Sequence, residues 1–206
     1  MNHDPDRNHV TTFEIEASES LLRLISGLVF GRGVELQVRP GSSVRDFLCE
    51  QLHLPADYVE NRIQTVFLEG KPVDDFDTAT LAPGATLALS AAMPGLVGAV
   101  FRRGGYYAPL RDSITYRQMG GSTGESEKRI TLKLFNLTAR EIGPQILSQG
   151  VYIDGMQVAD LVRTLEDSFR SGSRNCRIND QQIACQKLIE HPWPDTPVYF
   201  RAEGNS

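Results

Sequence analysis

The sequence predicts an α+β protein made of two domains and a connector. Three observations support this prediction: short segments that alternate apolar and polar residues as half-buried strands do, short segments with apolar residues at helical spacing, and a Gly- and Ser-rich stretch at residues 119–126. A chain of 206 residues has room for one or two domains, each with its own core. We therefore predict domains at residues 11–98 and 129–206, joined by a connector at 99–128.

The first domain shows predicted elements in the order strand, short helix, strand, helix, strand, hairpin, strand. Ser18 precedes the first predicted helix, and Ser42 or Ser43 can cap the second one before Val44. Glu69-Gly70 predicts a tight turn between two strands. The apolar face of the first helix would carry Leu21, Leu24, Ile25 and Leu28. The predicted strands are Thr12–Ala17, Val34–Val38, Ile63–Leu68 and Ala85–Ser90.

Four segments of this domain carry a family resemblance: Val34–Val38, Pro40–Leu48, Val66–Val73 and Leu81–Leu87. Together they resemble the sulfur-carrier proteins of molybdopterin and thiamin synthesis (MoaD/ThiS type) and, more distantly, ubiquitin. The resemblance covers residues 11–98 and implies an N-terminal ubiquitin-like β-grasp domain, followed by a smaller α+β domain. Some other small α+β sheet is the alternative.

The carriers act through a free C-terminal Gly-Gly, whose carboxylate is adenylated and then accepts sulfur. Here Gly98 ends the matching segment and Gly104-Gly105 follows shortly after, but the sequence continues past both. A carrier function would therefore require cleavage after Gly98 or after Gly105. The resemblance implies a latent sulfur carrier or protein modifier as one alternative, and a non-catalytic interaction module that keeps the fold without this chemistry as the other.

The net charge of −5 is unevenly distributed along the chain. Residues 1–100 hold 7 Lys+Arg against 14 Asp+Glu, whereas residues 101–129 hold 6 against 3. The basic stretch is rich in Tyr and Arg, which are enriched at protein-interface hot spots. It could instead neutralise its own acidic domain, or stack on nucleic acid. We predict that a protein partner, an enzyme or adaptor complex, contacts Arg102, Arg103, Gly104, Gly105, Tyr106, Tyr107 and Arg111.

The second domain begins with an alternating strand at Arg129–Phe135 and is predicted to close with a strand at Val198–Arg201. Thr138–Glu141 matches a helix capping box. Val151–Asp160 resembles Val66–Asp75, either because apolar strands around an Asp-Gly or Glu-Gly turn look alike, or because the second domain is a diverged β-grasp-like unit.

Two of the three cysteines flank a predicted hairpin with a four-residue loop at 179–182. In that register Cys176 faces Cys185, close enough for a disulfide. The two interpretations are a redox pair and two reduced, half-buried thiols in a cytoplasmic protein.

Other function classes find little support in the sequence. The four histidines are scattered, and neither a phosphate loop nor a nucleophile elbow occurs, so we predict neither a metal nor a cofactor. The acidic run Asp74, Asp75 and Asp77 either binds a cation or forms a solvated turn. Leu81–Val100 is broken by Pro and Gly, and the N-terminus lacks a signal-peptide pattern. We predict a cytoplasmic, non-enzymatic protein away from membranes; an unrecognised active site at residues 150–200 is a further alternative.

Overall fold

The structure, a computed structural model, describes residues 10–91, 93, 95–107, 111, 115, 116 and 129–205. The predicted Gly- and Ser-rich stretch at 119–126 lies outside these residues. Helices and strands both contribute, so the fold is of the mixed class that the sequence predicts. Within the described ranges, none of the helices is both long enough and apolar enough to cross a membrane.

The described residues form ten strands and a series of mostly short helices. The strands are β1 (Thr12–Ala17), β2 (Val34–Gln37), β3 (Thr65–Leu68), β4 (Lys71–Pro72), β5 (Thr86–Ser90), β6 (Arg129–Phe135), β7 (Val151–Asp154), β8 (Ser173–Ile178), β9 (Gln181–Gln182) and β10 (Pro197–Gly204). The α-helices are α1 (Glu19–Arg32), α2 (Val44–Asp46), α3 (Gly95–Phe101), α4 (Leu137–Glu141), α5 (Gly143–Gln149), α6 (Gly155–Thr164) and α7 (Glu166–Gly172). Phe47–Gln51 and Tyr58–Arg62 form π-helical turns, and Cys185–Leu188 forms a 3₁₀ turn.

The chain divides into two compact units that do not follow the predicted division at residues 98 and 129. The terminal unit combines residues 1–34 with residues 143–206, and the middle unit comprises residues 35–142. The difference arises from β1, which was expected to belong with the segments up to residue 98. It pairs instead with β10, so a strand near the start of the chain is hydrogen-bonded to a strand near its end.

The sheet of the terminal unit has the strand order β7-β10-β1-β8-β9. Strand β1 runs parallel to β10, with Phe13 opposite Phe200, and antiparallel to β8. Parallel neighbours require a long crossover connection, and here most of the chain lies between the two strands. The alternation of apolar residues in β1 predicts which side chains are buried, but it does not predict the partner strand.

Helix α1 packs against α5, α6 and α7 in the terminal unit. It begins at its N-cap Ser18, as predicted, but Leu24 and Leu28 of the predicted apolar face are exposed. The approach of α5 explains the difference, because a Cβ added to Gly143 would lie 2.7 Å from the Cβ of Ser26. The buried face is therefore Leu21, Leu22, Ile25, Ser26, Val29 and Phe30.

The strand order in the middle unit is β4-β3-β5-β6-β2. Strand β5 is antiparallel to β3 and parallel to β6. Ser43, one of the two serines predicted as a helix cap, caps α2 through a complete capping box with Asp46. The predicted β3–β4 turn is confirmed, since Glu69 and Gly70 adopt φ values of 51° and 72° that suit a tight hairpin.

Two similar stretches of sequence fold differently. Val66–Asp75 runs from strand β3 through the hairpin, whereas Val151–Asp160 consists of strand β7 followed by helix α6. The cause is Asp154, whose carboxylate accepts a hydrogen bond from the Met156 N–H and caps α6. The Asp-Gly pair therefore begins a helix here, instead of turning a hairpin.

The predicted capping box at Thr138–Glu141 is wrong. Asn136 precedes α4 without a side-chain cap, and Thr138 is buried within the helix. The Thr138 hydroxyl lies within hydrogen-bonding distance of the carbonyl oxygens of Leu89 and Phe135, and Glu141 pairs with Arg62. The local Phe135 carbonyl and the distant partners Leu89 and Arg62 thus take the side chains that the predicted cap would have used.

Candidate functional site

The basic stretch of the middle unit is held by a buried arginine. Arg111 is 2% exposed and donates from both terminal nitrogens to the two carboxylate oxygens of Asp74, at 2.9 and 2.6 Å. Its Nε also donates to the carbonyl of Val100 at 2.8 Å. A bidentate guanidinium–carboxylate pair fixes both distance and orientation. Arg111 therefore ties the end of α3 to the loop that follows β4.

A second arginine anchors the same stretch through its side chain and its backbone. The Arg103 side chain donates to the carbonyl and carboxylate of Glu60, at 2.6 and 2.8 Å, and its guanidinium lies 4.1 Å from the centroid of the buried Phe76 ring. Its N–H donates to the Gln64 carbonyl. Hydrogen bonds from Arg103 and Arg45 lower the pKa of Glu60 below its usual range. Arg45 in turn pairs with Asp77, so the anchor continues into a network of four charged side chains.

The glycines that the carrier alternative requires lie inside folded structure. Gly98 lies within α3, where an added Cβ would overlap the Met93 carbonyl. Gly104 has a φ of 61°, a conformation that glycine adopts without strain, and the Gly105 N–H donates to the Arg102 carbonyl. The Gly-Gly pair therefore makes a turn after α3.

This turn exposes a set of large side chains that we call the aromatic rim. Tyr106 is 90% exposed and Tyr107 is 38% exposed, and their rings meet edge to face with centroids 5.1 Å apart. On α3, Leu96 and Val97 are 72% and 57% exposed. Arg102 is also exposed. The aromatic rim is defined as Leu96, Val97, Arg102, Tyr106 and Tyr107.

The predicted partner-binding residues thus fall into two groups. Arg103 and Arg111 are anchors within the middle unit, as the intramolecular alternative expects, and Phe101 likewise packs on Phe67 with ring centroids 5.2 Å apart. Arg102, Tyr106 and Tyr107 face solvent. The sequence shows the clustering of Arg and Tyr, but not which arginines meet the distant carboxylates of Glu60 and Asp74.

The two predicted cysteines form a disulfide in the terminal unit. Cys176 in β8 is bonded to Cys185, with their Cα atoms 5.9 Å apart. The predicted four-residue loop is shorter in the structure, because Gln181 and Gln182 pair as strand β9 and only Asn179-Asp180 makes the turn. Both turn residues have positive φ, which Asn and Asp tolerate well.

The acidic run at residues 74–77 has protein partners for each carboxylate. Asp74 binds Arg111, Asp77 binds Arg45, and Asp75 accepts the N–H groups of Asp77 and Thr78. These contacts lower the pKa of Asp75. Among the described residues there is no group of His, Cys, Asp and Glu side chains that could hold a metal ion.

A polar concavity of about 380 Å³ lies on the sheet of the terminal unit and was not anticipated from the sequence. It is lined by charged residues of β1, β8 and β10, including Glu14, Arg177 and Arg201. Each of these occupies a polar position of an alternating strand, which is the only signal that the sequence holds for it. The concavity forms only when strands distant in the chain become neighbours.

Comparison of the chain with protein-family models, with curated proteins and with solved structures found no match. The aromatic rim and its two arginine anchors are therefore interpreted from their own geometry.

Proposed function

We propose that the protein is a non-catalytic interaction module, and that its middle unit binds a protein partner through the aromatic rim. The observation that carries this proposal is the exposed Tyr106–Tyr107 pair on a turn fixed on both sides by anchored arginines. Arg103 precedes the turn and Arg111 follows it, and both pair with carboxylates of the same unit.

The chemistry of the rim supports a protein as the partner. Tyrosine presents a large, rigid surface with one polar end, and it is enriched with arginine where binding energy is concentrated. A partner would cover Leu96 and Val97 as well, which removes apolar surface from water. Because the anchors already hold the turn, binding would not have to order it, and this lowers the entropic cost of association.

We further propose that the middle unit is of β-grasp type. The four segments that carry the resemblance form β2, the capped turn at α2, the β3–β4 hairpin and the turn that leads into β5, all of which contribute to this unit. The mixed sheet, with β5 parallel to β6 and antiparallel to β3, supports the same assignment. The strand beside β5 is β6, which follows the other segments in the chain, whereas β1 was expected to complete the domain.

The test is quantitative affinity capture of the full chain from its own cells. Tyr106→Ala/Tyr107→Ala is compared with Phe135→Ala/Leu137→Ala, a control pair in the same unit that is also exposed. We expect the tyrosine variant to lose specific partners at least tenfold while the control retains them. Equal recovery by both variants would contradict the rim as the binding surface.

The carrier alternative makes a separate prediction about covalent state. Cleavage after Gly98 or Gly105 would detach Arg111 and β6 from the segments that precede them. Intact-mass measurement of the protein from its own cells would then show a species ending at one of these glycines, or carrying a thiocarboxylate. The interaction proposal predicts neither species.

A further inference from the structure

The concavity of the terminal unit lies on the polar face of its sheet. In β1, Phe13, Ile15 and Ala17 are buried, whereas Glu14 and Glu16 alternate with them and reach the opposite face. The space measures about 380 Å³, at the lower end of the range for sites that hold small molecules. Its polar and charged lining residues include Glu14, Glu16, Arg177, Gln182, Arg201 and Glu203.

Strand register brings opposite charges together across this face. Glu14 lies opposite Arg201 of β10 on one side and opposite Arg177 of β8 on the other, and Gln182 of β9 lies beside Arg177. In the next row Glu16 lies opposite Glu203 of β10 on one side and opposite Arg174 of β8 on the other. Directly opposed side chains on neighbouring strands are about 5 Å apart at Cβ, so a small ligand could reach several of them at once.

Some of these charges are already satisfied within the unit. Arg201 pairs with Glu203 and donates from Nε to the Ser148 carbonyl at 2.9 Å. Asn175 donates to the Glu16 carboxylate at 2.8 Å. In contrast, neither Glu14 nor Arg177 makes a side-chain hydrogen bond or an ion pair with any other described residue, although they are opposite each other in the register.

We propose that this concavity binds a free α-amino acid with a cationic side chain. The Arg177 guanidinium and the Gln182 amide would take the ligand's carboxylate, and Glu14 its ammonium group. Glu16 would take the cationic side chain. The residues that line the concavity include three carboxylates and two guanidinium groups, and Arg174 opposite Glu16 does not line it. A ligand with one net positive charge neutralises the one negative charge left by this lining.

The proposal is tested by calorimetric titration of the full-length protein with L-arginine and L-lysine. We expect saturable binding of one ligand per chain. N-acetyl-L-arginine lacks the α-ammonium group and L-arginine amide lacks the carboxylate, while both keep the guanidinium side chain, so each should bind at least tenfold more weakly. Equal binding of all three arginine compounds, or absence of saturable binding at millimolar ligand, would overturn the proposal.

Glu14→Gln and Arg177→Gln should each weaken L-arginine binding at least tenfold. Arg163→Gln is the control, since Arg163 is an exposed arginine on α6 of the same unit and does not line the concavity. Arg177→Lys keeps the positive charge but loses the planar guanidinium group with its two parallel donors. Its affinity for L-arginine should therefore lie between those of wild type and Arg177→Gln. Unchanged affinity in both Gln variants would overturn the assignment of these residues.

Discussion

The two units use their charged side chains differently. In the middle unit arginines join loops and helices that are distant in sequence, as Arg111 does with Asp74, Arg103 with Glu60 and Arg62 with Glu141. In the terminal unit Arg32 of α1 likewise pairs with Asp160 of α6, but the sheet face brings Glu14 and Arg177 into register without joining them. Charge pairs that are buried or form networks define structure, whereas charges left apart on a concave face remain available for a ligand.

Among the substitutions considered, the largest effect on stability is expected at Arg111. Arg111→Ala removes the partner of Asp74 and the donor to the Val100 carbonyl, and we expect unfolding free energy to fall by about 3 kcal/mol. Asp74 retains some access to water, which keeps the loss at the lower end for a broken buried pair. Urea denaturation measures the change, and Arg102→Ala is the exposed control. A loss below about 1 kcal/mol would show that Arg111 is not an anchor.

The disulfide of the terminal unit is expected to contribute slightly less to the free energy of unfolding than Arg111 does. It closes a segment with a sequence separation of 9, for which loop-entropy arguments give about 2–3 kcal/mol. Cys185→Ala should lower the thermal midpoint accordingly, and addition of a reductant to wild type should have the same effect. Cys49→Ala provides the control, because Cys49 is a free cysteine. Identical thermal midpoints with and without reductant would show that the disulfide does not stabilise the protein.

The Glu60 network should make stability depend on pH in the acidic range. The pKa of Glu60 is lowered in the folded state by Arg103 and Arg45, so its contribution is present above the unfolded value and is lost as pH falls through the folded value. The effect should stay below about 1 kcal/mol, because the carboxylate is partly exposed and solvent screens it. Glu60→Gln should flatten the dependence of the thermal midpoint on pH between pH 3 and pH 6. A parallel curve for the variant would contradict the network.

The smallest effect on stability is expected at Arg177. Its side chain makes no ion pair with another described residue, and so Arg177→Ala should change unfolding free energy by less than about 0.5 kcal/mol. Urea denaturation of Arg177→Ala and Arg111→Ala in the same experiment compares the two units directly. A loss at Arg177 as large as that at Arg111 would abolish the distinction.

Local structure was largely predictable from the sequence. Ser43 as a cap, the Glu69-Gly70 turn and the strand at Arg129–Phe135 all depend on residues close in the chain. Thr138 and Asp154 show where local signals fail. A buried hydroxyl found carbonyl partners elsewhere, and an Asp-Gly pair that suits a hairpin capped a helix.

Long-range structure was not predictable in the same way. Alternation in Thr12–Ala17 indicates a strand, yet only the folded chain shows that its neighbours are β8 and β10. The candidate sites likewise depend on contacts between residues that are distant in the sequence. Arg103 and Arg111 were identified by composition, but their burial depends on carboxylates 43 and 37 residues away in the sequence. The concavity is formed by strands from both ends of the chain, and the polar positions of those strands do not show which strands become neighbours.

The most direct test of the aromatic rim places a photo-crosslinking amino acid at Tyr106 of the full chain in its own cells. The same group at Phe135 is the control, because both positions are exposed in the middle unit. We predict one discrete crosslinked protein at position 106, lost when Tyr107→Ala is added, and no such product at position 135. Absence of a product at 106, or the same product at both positions, would contradict the central claim.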